Sequence, residues 1–194
     1  MNKLEKKFNL IDASFRMIEA NGWDAFTFQR LSEKNKISLK KIKEKFKSKN
    51  ALLKEFSKMI DSKVEKNFDL NDIKKTSIKD NLFELIMLRL ELMQPYRKAL
   101  KKVLLSFKKK PLMIKSVSTS VSNSIDFYLE LTNAYDKSIF DIFKKKSMLL
   151  IYSYIFTIWL QDDSEELSKT MSELDRLLSL AEKVALNFKN FTPF

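Results

Sequence analysis

The 194-residue chain contains no cysteine, no histidine, a single glycine and three prolines. Without cysteine there is no disulfide and no thiolate chemistry, and a reducing compartment is compatible. Without histidine the chain lacks the usual general base near neutral pH, the commonest metal ligand and any Ser-His arrangement. We therefore expect no catalytic residue, no metal and no cofactor. So little glycine and proline leaves few tight turns, and all-β architectures need many. A long hydrophobic run is also missing. The longest, Met148 to Leu160, is interrupted by Ser153 and Thr157, and its 13 residues fall short of a bilayer span. It reads as a buried helix. The opening Met1-Asn2-Lys3-Leu4-Glu5-Lys6-Lys7 lacks the apolar core of a signal peptide, so a cytoplasmic protein is expected.

What the chain does have is positive charge and helical periodicity. Lys and Arg outnumber Asp and Glu 37 to 25, a net charge of +12. An A/T-rich genome would raise lysine content without purpose, and nucleic-acid binding would raise it with one. Distribution separates the two better than the total does. Residues 1–54 hold fourteen Lys or Arg and six Asp or Glu, a net of +8 in just over a quarter of the chain.

Leu4, Phe8, Ile11, Phe15 and Ile18 alternate spacings of four and three, a helical stripe. Gly22 follows directly, where a left-handed C-cap belongs. Thr27 can cap a short second helix with Leu31 on its inner side, and Asn35-Lys36-Ile37 reads as a turn. Ser38 is an N-cap candidate for a third short helix with Leu39, Ile42 and Phe46 inside, and Ser48 caps a longer fourth. Asp69 to Lys75 is a polar connection. Residues 78–93 are apolar on nearly every side, a buried central helix that Pro95 ends. A sixth helix runs from Tyr96 to Phe107 before Lys108-Lys109-Lys110. Ser116 to Ser124 alternates like a strand, but Val117, Val121, Ile125 and Tyr128 keep helical spacing and a lone strand has no partner. Two long helices, about 138–160 and 164–188, close an all-α chain of about nine helices. Asp162-Asp163-Ser164 separates them and caps the second.

Residues 27–46 thus place a helix, a tight turn and a second helix within twenty residues. From Lys34 to Lys49 there are eight lysines and one acid, Glu44. A solvated basic face on a small bundle would look like this, and so would a helix-turn-helix whose second helix enters the major groove.

Gly22-Trp23, Phe26-Thr27, Leu31, Ile37-Ser38, Ile42, Phe46, Lys49 and Ala51-Leu52-Leu53 together resemble the N-terminal domain of TetR-type transcriptional regulators. The resemblance covers roughly residues 6–60 and rests on order and spacing together. It implies a dimeric, all-helical protein with a helix-turn-helix DNA-binding domain at 1–50 and a helical dimerisation and ligand-binding domain at 51–194. It implies Thr27, Gln29, Ser38, Lys40, Lys41, Lys43, Lys45 and Lys49 as DNA-facing residues, with Thr27 and Lys49 on phosphates. The chain departs from the pattern at Lys40 and Lys41, where small residues or Thr are usual. Lys43 replaces an aromatic residue and Lys36 replaces a turn glycine. A lysine holds phosphate as a point charge but reads bases less selectively than a planar group.

The C-terminal run Trp159-Leu160-Gln161-Asp162-Asp163-Ser164…Leu174-Asp175-Arg176 is similar to an alphaproteobacterial branch of the same family. It also resembles the TetR-fold lipid-binding protein of ubiquinone biosynthesis, whose aromatic segment is not matched at 127–141. That similarity offers an alternative, a lipid or isoprenoid carrier whose basic surface meets an anionic membrane. Within the body, the final helix carries two apolar stripes. Leu167, Met171, Leu174 and Leu178 lie on the first, which we assign to a homodimer interface; Leu177, Leu180, Val184 and Phe188 form the second. A helix sunk deep in one subunit would also need two stripes. Met93, Phe127, Tyr152 and Phe156 are candidates for lining an effector pocket, although core filling explains such residues as well. With no polar constellation apparent, the expected effector is small and apolar. Asp162-Asp163 and Glu165-Glu166 are the carboxylates an enzyme would use, and their position before a helix N-terminus explains them as caps.

Overall fold

The computed structural model describes residues 3–68, 75–108 and 112–191. Among them the chain forms nine α-helices and no strand. These are α1 (Lys3–Asn21), α2 (Phe28–Asn35), α3 (Leu39–Lys45), α4 (Lys49–Asn67), α5 (Ile78–Met93), α6 (Arg97–Lys108), α7 (Leu112–Leu131), α8 (Asp141–Trp159) and α9 (Ser168–Phe191). The connection expected at 69–75 (Lys75 apart) and the run Lys109-Lys110-Pro111 lie outside the described residues, as do the side chains of Met113, Val117 and Phe188.

The punctuation follows local chemistry. Gly22 ends α1 at φ +85°, with its amide donating to the Ile18 carbonyl at 2.8 Å. A Cβ at that position would meet nothing within 4 Å, so glycine serves the backbone conformation and not a close approach. Pro95 interrupts α5, which passes through a 3₁₀ turn at Gln94–Tyr96 before α6 begins. The serine-rich stretch 116–124 is helical throughout. Ser48 caps α4 by accepting the Ala51 amide at 3.1 Å.

Two compact units divide the chain, 1–63 with 92–121 and 64–91 with 122–194. In the first, α6 packs on α1. Phe15 of α1 stacks on Phe56 of α4 with ring centroids 4.2 Å apart, and Tyr96 meets both rings edge-on. The Tyr96 hydroxyl donates to Asp12 at 2.6 Å. Burial and that carboxylate both push the phenol pKa up, so Tyr96 stays a neutral donor.

In the second unit α8 packs on α9. Met148, Tyr152, Ile155 and Trp159 form the buried side of α8, and Leu174 and Leu178 that of α9. Arg89 of α5 is 2% exposed, and its guanidinium donates to the hydroxyls of Tyr152 at 2.9 Å and Tyr128 at 3.2 Å. The connection between α8 and α9 is tied down by Asp162. One carboxylate oxygen accepts the Thr170 amide at 2.7 Å and the Thr170 hydroxyl at 2.5 Å; the other accepts the Ser164 amide at 3.0 Å and the Ser164 hydroxyl. α9 thus receives its cap from Asp162 more than from Ser164, whose hydroxyl accepts the Lys169 amide at 3.3 Å.

Candidate nucleic-acid interface

The helix-turn-helix is built from inside out. Leu31 of α2, Ile42 of α3 and the following Phe46 are completely buried. Each contributes about 1.5–3 kcal/mol by leaving water. Their inward direction fixes what faces out. Lys40, Lys41 and Lys43 are exposed on α3, with Glu44 beside them, and Lys45 is half-buried at the edge. Among the described residues none of Lys40, Lys41 and Lys43 forms an ion pair. Lys34, Lys36 and Lys47 are also exposed and add charge on either side.

Thr27 caps α2, its hydroxyl accepting the Arg30 amide at 3.2 Å. Because the hydroxyl accepts there, its own proton is left to donate outward, and Thr27 is exposed. Gln29, also exposed, donates to Glu33 at 2.9 Å one turn along the helix. Arg30 reaches back to the Ala25 carbonyl at 2.9 Å, bracing the entrance to α2. Ser38 occupies the N-cap position of α3 but makes no capping bond, leaving an exposed hydroxyl at the mouth of the helix. The turn itself passes through Lys36 at φ +52°, a left-handed conformation, and Ser32 locks it by donating to the Ile37 carbonyl at 2.6 Å.

Lys49 behaves differently from the other lysines. It is half-buried, and its ammonium donates to the Trp23 carbonyl and sits 4.5 Å from the Trp23 ring centroid. A cation over an indole face is attracted by the ring quadrupole. Trp23 in turn belongs to a run of aromatic contacts that joins α6 to the end of α3. It passes from Phe107 through Trp23, Phe26 and Phe28 to Phe46, with successive centroids 5.8–6.3 Å apart. The sequence singled out Trp23 and Phe26 only as pattern residues. Their role in connecting helices depends on Phe107, more than eighty positions away, and no local spacing signals it.

The body's candidates are distributed unevenly. Met93 is buried in the first unit; Phe127, Tyr152 and Phe156 belong to the second, where Tyr152 is buried and stacks on Phe156 at 6.3 Å. The expectation of no polar constellation is overturned by Arg89 between Tyr128 and Tyr152. Its neighbours Met87, Leu88 and Leu90 on α5 concealed it. An open cleft of about 330 Å³ belongs to the first unit, lined by Asp12, Phe15, Arg16, Glu19, Pro95, Tyr96 and Ala99.

On α9, Leu174 and Leu178 are 0% and 3% exposed, packed inside their own unit, and Leu167, in the turn just before α9, is half-buried. So enclosed, Leu174 and Leu178 leave little surface for a partner. Met171 keeps some exposure. The second stripe is the one facing outward, with Leu180 54% and Val184 46% exposed, and α8 adds exposed Phe143, Leu150 and Tyr154.

The helical framework that carries this short capped helix, left-handed turn and lysine-faced second helix is shared with solved structures of TetR-type transcriptional regulators. The similarity extends over nearly the whole chain. A TetR transcriptional regulator from Nitrosomonas europaea matches 92% of this chain and 98% of its own, with a TM-score of 0.76 and 19% identity. A structure from Mesorhizobium loti assigned to the TetR family matches 95% and 98%, with a TM-score of 0.50 and 12% identity. At these identities what is shared is the fold. No family model matches the sequence, and no curated protein does. Among the described residues no helix is long and apolar enough to cross a membrane, and no group of acids is arranged to hold a metal ion.

Proposed function

We propose that this protein is a homodimeric, TetR-type DNA-binding regulator, acting as a repressor that a small ligand releases from DNA. One observation carries the reading: α3 turns exposed lysines outward from a fully buried Ile42 and Phe46, next to the outward hydroxyls of Thr27 and Ser38. In such a motif the second helix enters the major groove while flanking groups hold phosphates. Residues 1–50 would be the reading head and 51–194 the body. Lys40, Lys41, Lys43 and Lys45 would face the groove and its walls, with Gln29 at the edge. Thr27 and Ser38 would donate to phosphate oxygens. Lys49 would join them by exchanging the neutral Trp23 carbonyl for an anionic acceptor, a swap that charge favours.

The exposed apolar faces of α8 and α9 support the dimer, since buried together they would form a four-helix interface. Two reading heads then fall one DNA turn apart, about 34 Å, or a multiple of it. A ligand acts on such a dimer by binding the DNA-incompetent arrangement more tightly. Tyr152, Phe156 and Phe127 would supply its apolar contacts in the body.

The test is a salt titration of binding to a duplex from the protein's own promoter against a scrambled duplex of equal length. The expected result is promoter binding that survives moderate salt while the scrambled duplex is released. Equal and steep loss from both would mean that the lysines meet phosphate alone, and would remove the regulator reading in favour of the lipid carrier.

A further inference from the structure

α6 carries a second cationic face. Segment 92–121 holds eight Lys or Arg and no acid. On α6 itself the buried side is Ala99, Leu100, Val103, Ser106 and Phe107, and the exposed side is Lys98, Lys101, Lys102 and Leu105. The acid that pairs with the row is Glu19 of α1: its carboxylate lies 3.9 Å from the Lys98 ammonium, and its main-chain carbonyl accepts from Lys102. Among the described residues only Lys98 of the three pairs with a carboxylate, which leaves the row positive, and Lys101 forms no ion pair.

The row is anchored to the entrance of the reading head. Ser106 donates to Asp24 at 2.9 Å, and Phe107 meets Trp23 edge-on at 6.0 Å. Asp24 is three residues before Thr27, the cap of α2. The lysine row and the outward hydroxyl of Thr27 therefore belong to one packed assembly.

We infer that Lys98, Lys101 and Lys102 of α6 form a second phosphate-binding row that extends the DNA contact beyond the helix-turn-helix onto the backbone flanking it. This rests on the DNA-binding reading above and adds a surface to it. Lys98 to Lys102 spans about 6 Å of helix axis, against which a duplex presents roughly three to four charges. The row's lysines hold point charges without a planar reading group, so its contribution is to affinity and salt dependence and not to base choice.

The probe is a mixed-sequence duplex of about 40 base pairs, nearly four turns, so that flanking backbone is present. Fluorescence anisotropy of the full chain is followed from about 50 to 200 mM salt. K98Q/K101Q/K102Q should flatten the slope of log K against log salt by about 2–3 and weaken binding at least about 10-fold. Because Lys102 also braces Glu19, K98Q/K101Q is measured beside it, with an unchanged melting midpoint and a slope reduced by about 2. An α6 slope equal to wild type, with K40Q/K43Q flattened, overturns this inference and leaves the helix-turn-helix reading standing. Wild type that binds no duplex removes both. Binding of wild type to phosphatidylserine vesicles, lost in the α6 variants while their DNA slope is unchanged, assigns the row to membrane and overturns the inference.

Discussion

The two units of this chain are electrically opposite. Residues 1–63 with 92–121 carry 24 Lys or Arg against 8 Asp or Glu, a net of +16; the remainder carries 13 against 17, a net of −4. The handling of charge differs as much as the sum. In the second unit Lys144 sits between Asp136 and Asp141 at 2.9 Å from each, Lys145 pairs with Asp126, and Lys79 meets Asp175 at 2.8 Å. On α3, Lys40, Lys41 and Lys43 face solvent without such partners among the described residues. A genome-wide bias toward lysine would load both units alike. The segregation teaches that the positive excess is not an even bias of composition but is concentrated in the unit that carries the helix-turn-helix.

Charge reversal on the two sides should expose that difference. Lys40→Glu with Lys43→Glu is expected to lower affinity for duplex DNA by about 100-fold or more, since two counterion-releasing contacts become repulsive. Lys144→Glu in the second unit should leave DNA affinity unchanged and lower the melting midpoint instead. Anisotropy and thermal unfolding of both variants check the contrast; equal losses of affinity would break it.

The two stripes of α9 sharpen the comparison within the second unit. Leu174→Ala should cost about 2–5 kcal/mol of stability by leaving a cavity in the α8–α9 core. Leu180→Glu with Val184→Glu should leave the folded monomer intact and shift sedimentation from dimer to monomer. A dimer that survives the outer pair of substitutions would sink the proposed interface.

Asp162 makes the second unit sensitive to acid. Burial alone would raise its pKa, but hydrogen bonds from the Ser164 and Thr170 hydroxyls and amides outweigh it and hold the carboxyl at about 2. A depressed folded pKa favours the ionised form, so the stabilisation is complete above about pH 4, the unfolded value, and is lost as pH falls through the folded value near 2. About 2 kcal/mol should disappear across that window. Asp162→Asn should be less stable at neutral pH and show a flatter acid limb in chemical denaturation.

Much of this architecture was legible locally. Gly22, Thr27, Ser48 and Pro95 announce their caps and breaks because those conformations are set by residues a turn apart. The outward direction of Lys40, Lys41 and Lys43 was legible because Ile42 and Phe46 fix the inner face of a seven-residue helix. What no local pattern carries is tertiary. Both stripes of α9 are apolar, and only packing against α8 decides that Leu174 and Leu178 turn inward. Arg89 reads as one charge in a buried helix until Tyr128 and Tyr152 arrive from α7 and α8. The setting of the α6 lysine row is not legible locally, because Ser106 and Phe107 of the same helix meet Asp24 and Trp23, far away in sequence.

Lys36 offers the smallest effect and the cleanest test of whether the reading head trades stability for charge. It closes α2 at φ +52° and ψ +37°, with its amide directed at the Glu33 carbonyl 3.4 Å away. A side chain in that conformation crowds its own backbone, a cost of roughly 1–2 kcal/mol that glycine avoids. Glycine also gains freedom in the unfolded chain, which takes back part of the benefit. Lys36→Gly should therefore raise stability by about 0.5–1 kcal/mol. It should also remove one exposed positive charge beside α3, lowering DNA affinity a few-fold and flattening the salt slope by about 0.9 if that charge meets a phosphate. A gain in melting midpoint with unchanged DNA affinity would show the lysine to be a strained turn residue and nothing more. A gain with weaker binding would show that charge at the turn is kept at the expense of a relaxed backbone.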